Sequence, residues 1–149
     1  MYEIPKITVP VEILLMNDDS LEGKVFITED LISTTGIPLV EEFLNDDPNH
    51  FFPFESNGGA YRLINKDHLI MIRTEQDDQE VKQQTSLPAK NLVAYFTNGK
   101  TVYGVVYPVL PEESRVSDMI NQEDDFIVVY QNGQKLIINR NHIIYVNAS

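Results

Sequence analysis

Two short stretches hold residue types that could do chemistry, Asn65-Lys66-Asp67-His68 and Asn139-Arg140-Asn141-His142. Each sets a carboxamide, a cation and an imidazole close together, groups able to hold a phosphate, the edge of a base or a metal ion. Two imidazoles on one element need HxH or HxxxH spacing to share a metal, and the chain has neither. The structural account of the same residues is that each imidazole bonds the backbone of its own turn and that Lys66 and Arg140 are solvated. Asn65 and Asn139 would then be turn formers, because Asn tolerates left-handed backbone and bonds its own main chain. Other candidates are weaker. The acidic pairs Asp46-Asp47, Asp77-Asp78 and Asp124-Asp125 lack the alternating oxygens, glycine and closing Glu of an EF-hand loop. Phe51, Phe52, Phe54, Tyr95 and Phe96 lie in strand-like runs without interleaved basic residues, which favours core packing over base stacking. There is no Cys, no Gly-x-Ser-x-Gly elbow, no phosphate loop and no dinucleotide glycine fingerprint. The expectation is a protein without a catalytic site, a metal or a cofactor.

The elements that position these stretches form a repeat. Both stretches open into apolar runs, Leu69-Ile70-Met71-Ile72 and Ile143-Ile144-Tyr145-Val146, and a shift of 74 superimposes them without a gap. Upstream of the first, Val11, Ile13 and Leu15 alternate onto one face, a turn follows at Asn17-Asp18-Asp19-Ser20, and residues 21–27 resume the alternation. Gly23 inside that second strand marks a bulge or a sharp bend. Val40, Phe43 and Leu44, at i, i+3 and i+4, predict a short helix over residues 38–45, with acids near its positive end. Strands at residues 51–55, 60–64 and 69–73 complete the half. After a polar stretch the order returns: residues 95–98 answer 14–17 at a shift of 81, and Val116, Met119 and Ile120 answer Val40, Phe43 and Leu44 at 76. Ser114 is the expected N-cap of that second helix. Asn98-Gly99 carries the two-residue hairpin signal. Shifts that change only in loops are those a duplication leaves, since loops absorb length changes.

Residues 11–27 and 93–107 resemble the first Sm motif, in which alternating apolar residues, an Asn/Asp/Gly turn and a hydrophobic strand with one glycine follow in order. The stretch Asn139-Arg140-Asn141-His142-Ile143-Ile144-Tyr145-Val146 resembles the second, whose usual form is an Arg-Gly pair, two variable residues and an apolar strand. The resemblance covers both halves. It implies a mainly β chain of two tandem Sm-like, SH3-like five-stranded barrels, each with a short inserted helix. Its boundaries are a first barrel over 1–74, a polar linker over 75–90 and a second barrel over 91–149. In Sm proteins the turn between the last two strands and the loop between the second and third jointly hold an RNA base. Here Asn65-Lys66 and Asn139-Arg140 stand where the Arg-Gly pair would be, and the inserted helices replace the loop. Half of the implied RNA site has no counterpart.

Composition narrows the partners. With 23 acidic against 11 basic residues the formal charge is −12, which repels a phosphate backbone over a Debye length of about 8–10 Å. Without cysteine, disulfides and thiolate metal sites are excluded. Met1-Tyr2-Glu3-Ile4-Pro5 does not read as a signal sequence, and no apolar run approaches the ~18 residues of a membrane span. The expected protein is cytoplasmic, with no membrane partner. Halves this small bury too little surface to be secure alone, so each is expected to pack on a neighbour. The leading expectation is a non-catalytic assembly module, a homo-oligomer joined through strand edges. The alternative is RNA or nucleotide binding through Asn65, Lys66 and His68 and through Asn139, Arg140 and His142, which the acidity disfavours.

Overall fold

The computed structural model describes residues 6–108, 110–113 and 115–148. By internal contacts the chain divides into two compact units, Met1–Thr74 and Glu75–Ser149. In the first unit the order is β1 (Lys6–Leu15), β2 (Ser20–Thr28), helix α1 (Val40–Asp46), β3 (Phe51–Ser56), β4 (Tyr61–Asn65) and β5 (Leu69–Glu75). The second unit opens with helix α2 (Gln79–Gln84). It then repeats the sequence as β6 (Lys90–Phe96), β7 (Thr101–Val106), helix α3 (Val116–Ile120), β8 (Phe126–Gln131), β9 (Gln134–Asn139) and β10 (Ile143–Ala148). Residues 75–90, expected as a polar linker with a helical turn over residues 79–84, contain a helix at that place. They are tied to their own unit by hydrogen bonds from the Tyr107 hydroxyl to Asp78 and from the Thr85 hydroxyl to the Pro108 carbonyl, the second at 2.6 Å.

All the strands pair antiparallel. In the first unit β1 pairs with β2 and β5, β2 with β3, and β3 with β4. The second unit copies this, with β6 between β10 and β7, then β8 and β9. Among the described residues no ladder joins β4 to β5 or β9 to β10, so each sheet is open, which corrects the closed barrels expected from the sequence. The cause is local. A 3-10 turn separates β4 from β5 and another separates β9 from β10. Such a turn re-aims the chain, so the last strand pairs with the first instead of folding back as a hairpin.

Alternation decides the core. Val9, Val11 and Ile13 of β1 and Val25 and Ile27 of β2 point inward, as do Leu92, Ala94 and Phe96 of β6. Phe52 and Phe54 close the first core, with Val40 and Leu44 of α1 buried against it. Phe51, expected in the core, is exposed, because it falls on the opposite face of β3 from Phe52. At Gly23 the register between β1 and β2 runs unbroken, so the bulge expected there as one option is absent, and the glycine is where β3 comes close. A Cβ there would lie deep inside the Glu55 carbonyl oxygen, 2.6 Å from Phe54 Cζ and 2.8 Å from Ser56 Cα. Gly104 occupies the same place against Tyr130, whose carbonyl oxygen would be 2.6 Å away.

The hairpins differ from expectation. The β6–β7 turn is a three-residue loop, residues 97–99, closed by Phe96 N–H to Lys100 O at 2.9 Å, and not the two-residue turn expected at Asn98-Gly99. Asn98 Oδ1 accepts from the Lys100 amide, and Gly99 takes a positive φ of 85°. The β1–β2 turn is its copy, with Asn17 bonding the Asp19 amide and Asp18 at φ 72° in the glycine position. The two-residue turn is Asn132-Gly133, between Gln131 and Gln134. Its counterpart in the first unit has three residues, 57–59. One residue is therefore lost in the second copy, and Phe126 stands opposite Asn139 as Phe51, not Phe52, stands opposite Asn65. Ser114 lies outside the described residues. Arg115 holds the N-cap position of α3, its amide donating to the Asp118 carboxylate at 3.1 Å.

Candidate functional site

The residues singled out from the sequence fall in the two 3-10 turns, Lys66–His68 and Arg140–His142, each entered from an Asn. Asn65 Oδ1 accepts from the Asp67 amide at 2.9 Å and Asn139 Oδ1 from the Asn141 amide at 3.0 Å, which caps the turn's orphan donors. Both asparagines have ordinary extended backbone, φ −78° and −85°, so capping explains them and left-handed geometry does not.

The basic residue of each turn reaches the inserted helix of its own unit. Lys66 is buried, and its ammonium donates to the carbonyls of Leu44 at 3.2 Å and Asp47 at 2.7 Å, at the C-terminal end of α1. A helix of seven residues ends with carbonyls that have no partner inside it, and a cation suits them in both hydrogen bonding and dipole. The same ammonium sits 6.0 Å from the Phe43 ring centroid, and Phe43 meets Phe52 edge-on at 6.2 Å. Burial pushes the Lys66 pKa down, and the Asp47 carboxylate pulls it back up. Arg140 does the equivalent work: its guanidinium donates to the Ile120 carbonyl at the end of α3 at 3.3 Å and lies 3.5 Å from the Asp125 carboxylate. The expected solvation of these two cations is thus corrected for Lys66, which is buried, and for Arg140, which is half-buried and paired.

The backbone of each turn completes a junction. The Lys66 amide donates to the His50 carbonyl at 2.9 Å and the Arg140 amide to the Asp125 carbonyl at 2.7 Å, which fixes the entry to β3 and β8. His68 and His142 each contribute a main-chain carbonyl, accepting at 2.9 Å from the Met16 and Thr97 amides in the first hairpin of their units. One turn therefore holds the first hairpin, the helix and the third strand of its unit together. Among the described residues no cluster of three His, Asp or Glu side chains is placed to share a metal ion.

A second set of residues, not singled out from the sequence, stands on strand edges. Phe51, Tyr61 and Leu63 on β3 and β4, and Ile144 and Tyr145 on β10, are large, apolar and exposed. The Tyr145 ring stacks on Tyr95 at 4.5 Å. A cleft of about 490 Å³ opens between α3 and β10, lined by Val116, Ile120, Arg140, Ile144, Tyr145 and Val146 among others. Comparing the two copies gives no signal for them, since Tyr61 and Leu63 align with Lys135 and Ile137, which are both buried.

These features define a class: a mainly β chain with a duplicated unit, each unit a five-stranded antiparallel sheet with its fifth strand beside its first and a helix between its second and third. No protein-family model matches the chain, and comparisons with curated proteins and with solved structures find no match. Among the described residues no helix is long and apolar enough to cross a membrane.

Proposed function

We propose that this chain is a non-catalytic assembly module built from two Sm-like units and that it works as a homo-oligomer. One observation carries the reading: β4 and β10 each pair on one side only among the described residues and bear large exposed apolar side chains. A free strand edge is a template for another chain, and proteins that stay monomeric blunt such edges with charge or proline. β10 has no charged residue or proline, and β4 has only Arg62. The order of strands in each unit and the Asn-basic-x-His turns support the Sm-like assignment, with the helices as additions to that plan.

Sedimentation over a range of concentrations tests the proposal, and a mass above that of one chain is expected. Titration of labelled single-stranded RNA at low salt, into wild type and Lys66→Ala/Arg140→Ala, tests the rival. No appreciable binding is expected, because both cations are engaged with helix ends and the net charge is −12. Tight binding lost in the double variant would replace assembly with RNA recognition, and a strict monomer would end the assembly reading.

A further inference from the structure

We propose that two copies of this chain meet face to face, through the outward face of the sheet in the second unit. The inference rests on the homo-oligomer reading and adds a contact that no strand edge makes. It comes from matching the same sheet face in the two units, position by position, each in the register of its own ladders. In the first unit Glu12 lies opposite Arg73 and Glu22, and Lys24 lies opposite Glu55. These charges serve one another, since Arg73 reaches Glu12 at 2.8 Å and Lys24 reaches Glu55 at 3.5 Å. That is an ordinary solvated face. In the second unit the same ladder positions hold Val93 opposite Asn147 and Tyr103, and Val105 opposite Tyr130. None of them is charged. Leu14 opposite Met71 in the first unit is matched by Tyr95 opposite Tyr145 in the second, whose rings stack at 4.5 Å.

Charge and symmetry name the occupant. A chain of charge −12 repels its own copy, so two copies approach most readily through a surface that adds nothing to the repulsion. A two-fold contact also sets each residue near its axis against itself, where any charge would meet its like. The outward positions of β6 and β7, which are Asn91, Val93, Tyr95, Thr101, Tyr103 and Val105, meet both demands. A nucleic acid or a strongly charged peptide would find no counter-charge on them. Tyrosine suits a surface that is wet in the free chain and buried in the pair, because its ring supplies area at low entropy cost and its hydroxyl still finds a polar partner. Tyr103 is 58% exposed and Tyr145 54%, so both have ring area left to bury. Few charges and many tyrosines mark the centre of protein interfaces, and the exposed Asn91, Thr101 and Asn147 give this one a polar rim.

The test uses the full-length variants Tyr103→Glu and Tyr103→Lys. Tyr103 stands on β7, between β6 and β8, so neither change touches the β4 or β10 edge. Circular dichroism and the urea midpoint check folding, and Tyr103→Ser, which only removes the ring, is read by the same mass measurement if either charged variant unfolds the chain. Sedimentation should give the wild type an even number of chains and each variant alone half the wild-type mass. An equimolar mixture of the two charged variants should recover the wild-type mass, because a carboxylate then faces an ammonium across the axis. Variants that keep the wild-type mass would overturn the proposal while leaving assembly through strand edges standing. A mixture that stays at half mass would overturn the two-fold contact. A fall from dimer to monomer would support the proposal and remove the strand edges from the assembly. A monomeric wild type would end both.

Discussion

Replacing Gly23 by alanine puts a number on the close approach of β3 to β2. The added Cβ would overlap the Glu55 carbonyl oxygen and sit 2.6 Å from Phe54 Cζ and 2.8 Å from Ser56 Cα. Two of those three neighbours are main-chain atoms of β3, and Phe54 is fully buried, so no flexible side-chain end can swing away. Relief has to come from moving β3, which is held to β2 by only three residue pairs, Gly23 with Ser56, Lys24 with Glu55 and Val25 with Phe54. Overpacking costs ~1–3 kcal/mol in general, and a forced main-chain shift belongs at the top of that span. The loss of unfolded-chain entropy on changing Gly to Ala returns ~0.4–1 kcal/mol where the backbone tolerates it. The net expectation is a loss of about 2 kcal/mol or more for Gly23→Ala, read from equilibrium urea unfolding. Gly104→Ala should lose about 1–2 kcal/mol, since the Val129 methyl takes part of the overlap, although the Tyr130 carbonyl oxygen remains 2.6 Å away. Gly58→Ala is the control, because its Cβ would meet only Ser56 Oγ at 3.9 Å, and it should fall within about 0.5 kcal/mol of wild type. Gly23→Ala as stable as the control would refute the reasoning.

Lys66→Met should lose about 2 kcal/mol, the worth of a charge-assisted hydrogen bond to a buried carbonyl, and should speed amide exchange across α1 while sparing β1; unchanged exchange in Val40–Asp46 would remove the capping role. Tyr107→Phe tests the attachment of α2 through its pH dependence. The hydrogen bond from Tyr107 holds the Asp78 carboxyl below the usual carboxylate range, so its contribution is present above the ordinary value of about 4 and fades as pH falls through the lowered one. Burial, with Asp78 adding to it, raises Tyr107 to about 12, so its contribution is full below the ordinary tyrosine value near 10 and fades as pH rises toward 12. The wild-type urea midpoint should therefore drop on both flanks relative to Tyr107→Phe, and parallel profiles would show that the bond contributes nothing.

Much of the architecture was legible because it rests on local pattern. The spacing of Val40, Phe43 and Leu44 predicts a helix, observed at Val40–Asp46, and the glycine in each second strand marks a place where the next strand passes too close for a side chain. Dipeptides misled where partners decide. Asn98-Gly99 looks like a two-residue turn, yet the Asn98 side chain caps Lys100 and sets a three-residue loop, as Asn17 does beside Asp18 without any glycine. Phe51 was assigned to the core because its run carries no basic residue, whereas alternation along β3 turns it to the face opposite Phe52. The fate of Lys66 and Arg140 was illegible for a different reason: the carbonyls they meet lie 22 and 20 residues away, and only the folded unit brings them near. Exposure of Leu63 and Ile144 was likewise invisible in composition, since both sit in apolar runs that read as core.

The capping of α1 and α3 by the turn also binds together two changes that a sequence comparison would count as separate. In this fold the insertion between the second and third strands and the cation after the fourth complete one another. Deleting the helix alone would leave a buried ammonium at Lys66 facing no carbonyl, and neutralising the cation alone would leave the last carbonyls of the helix without a donor. Shortening this unit to a plain five-stranded sheet therefore requires both changes together, and either one made alone gives a less stable chain.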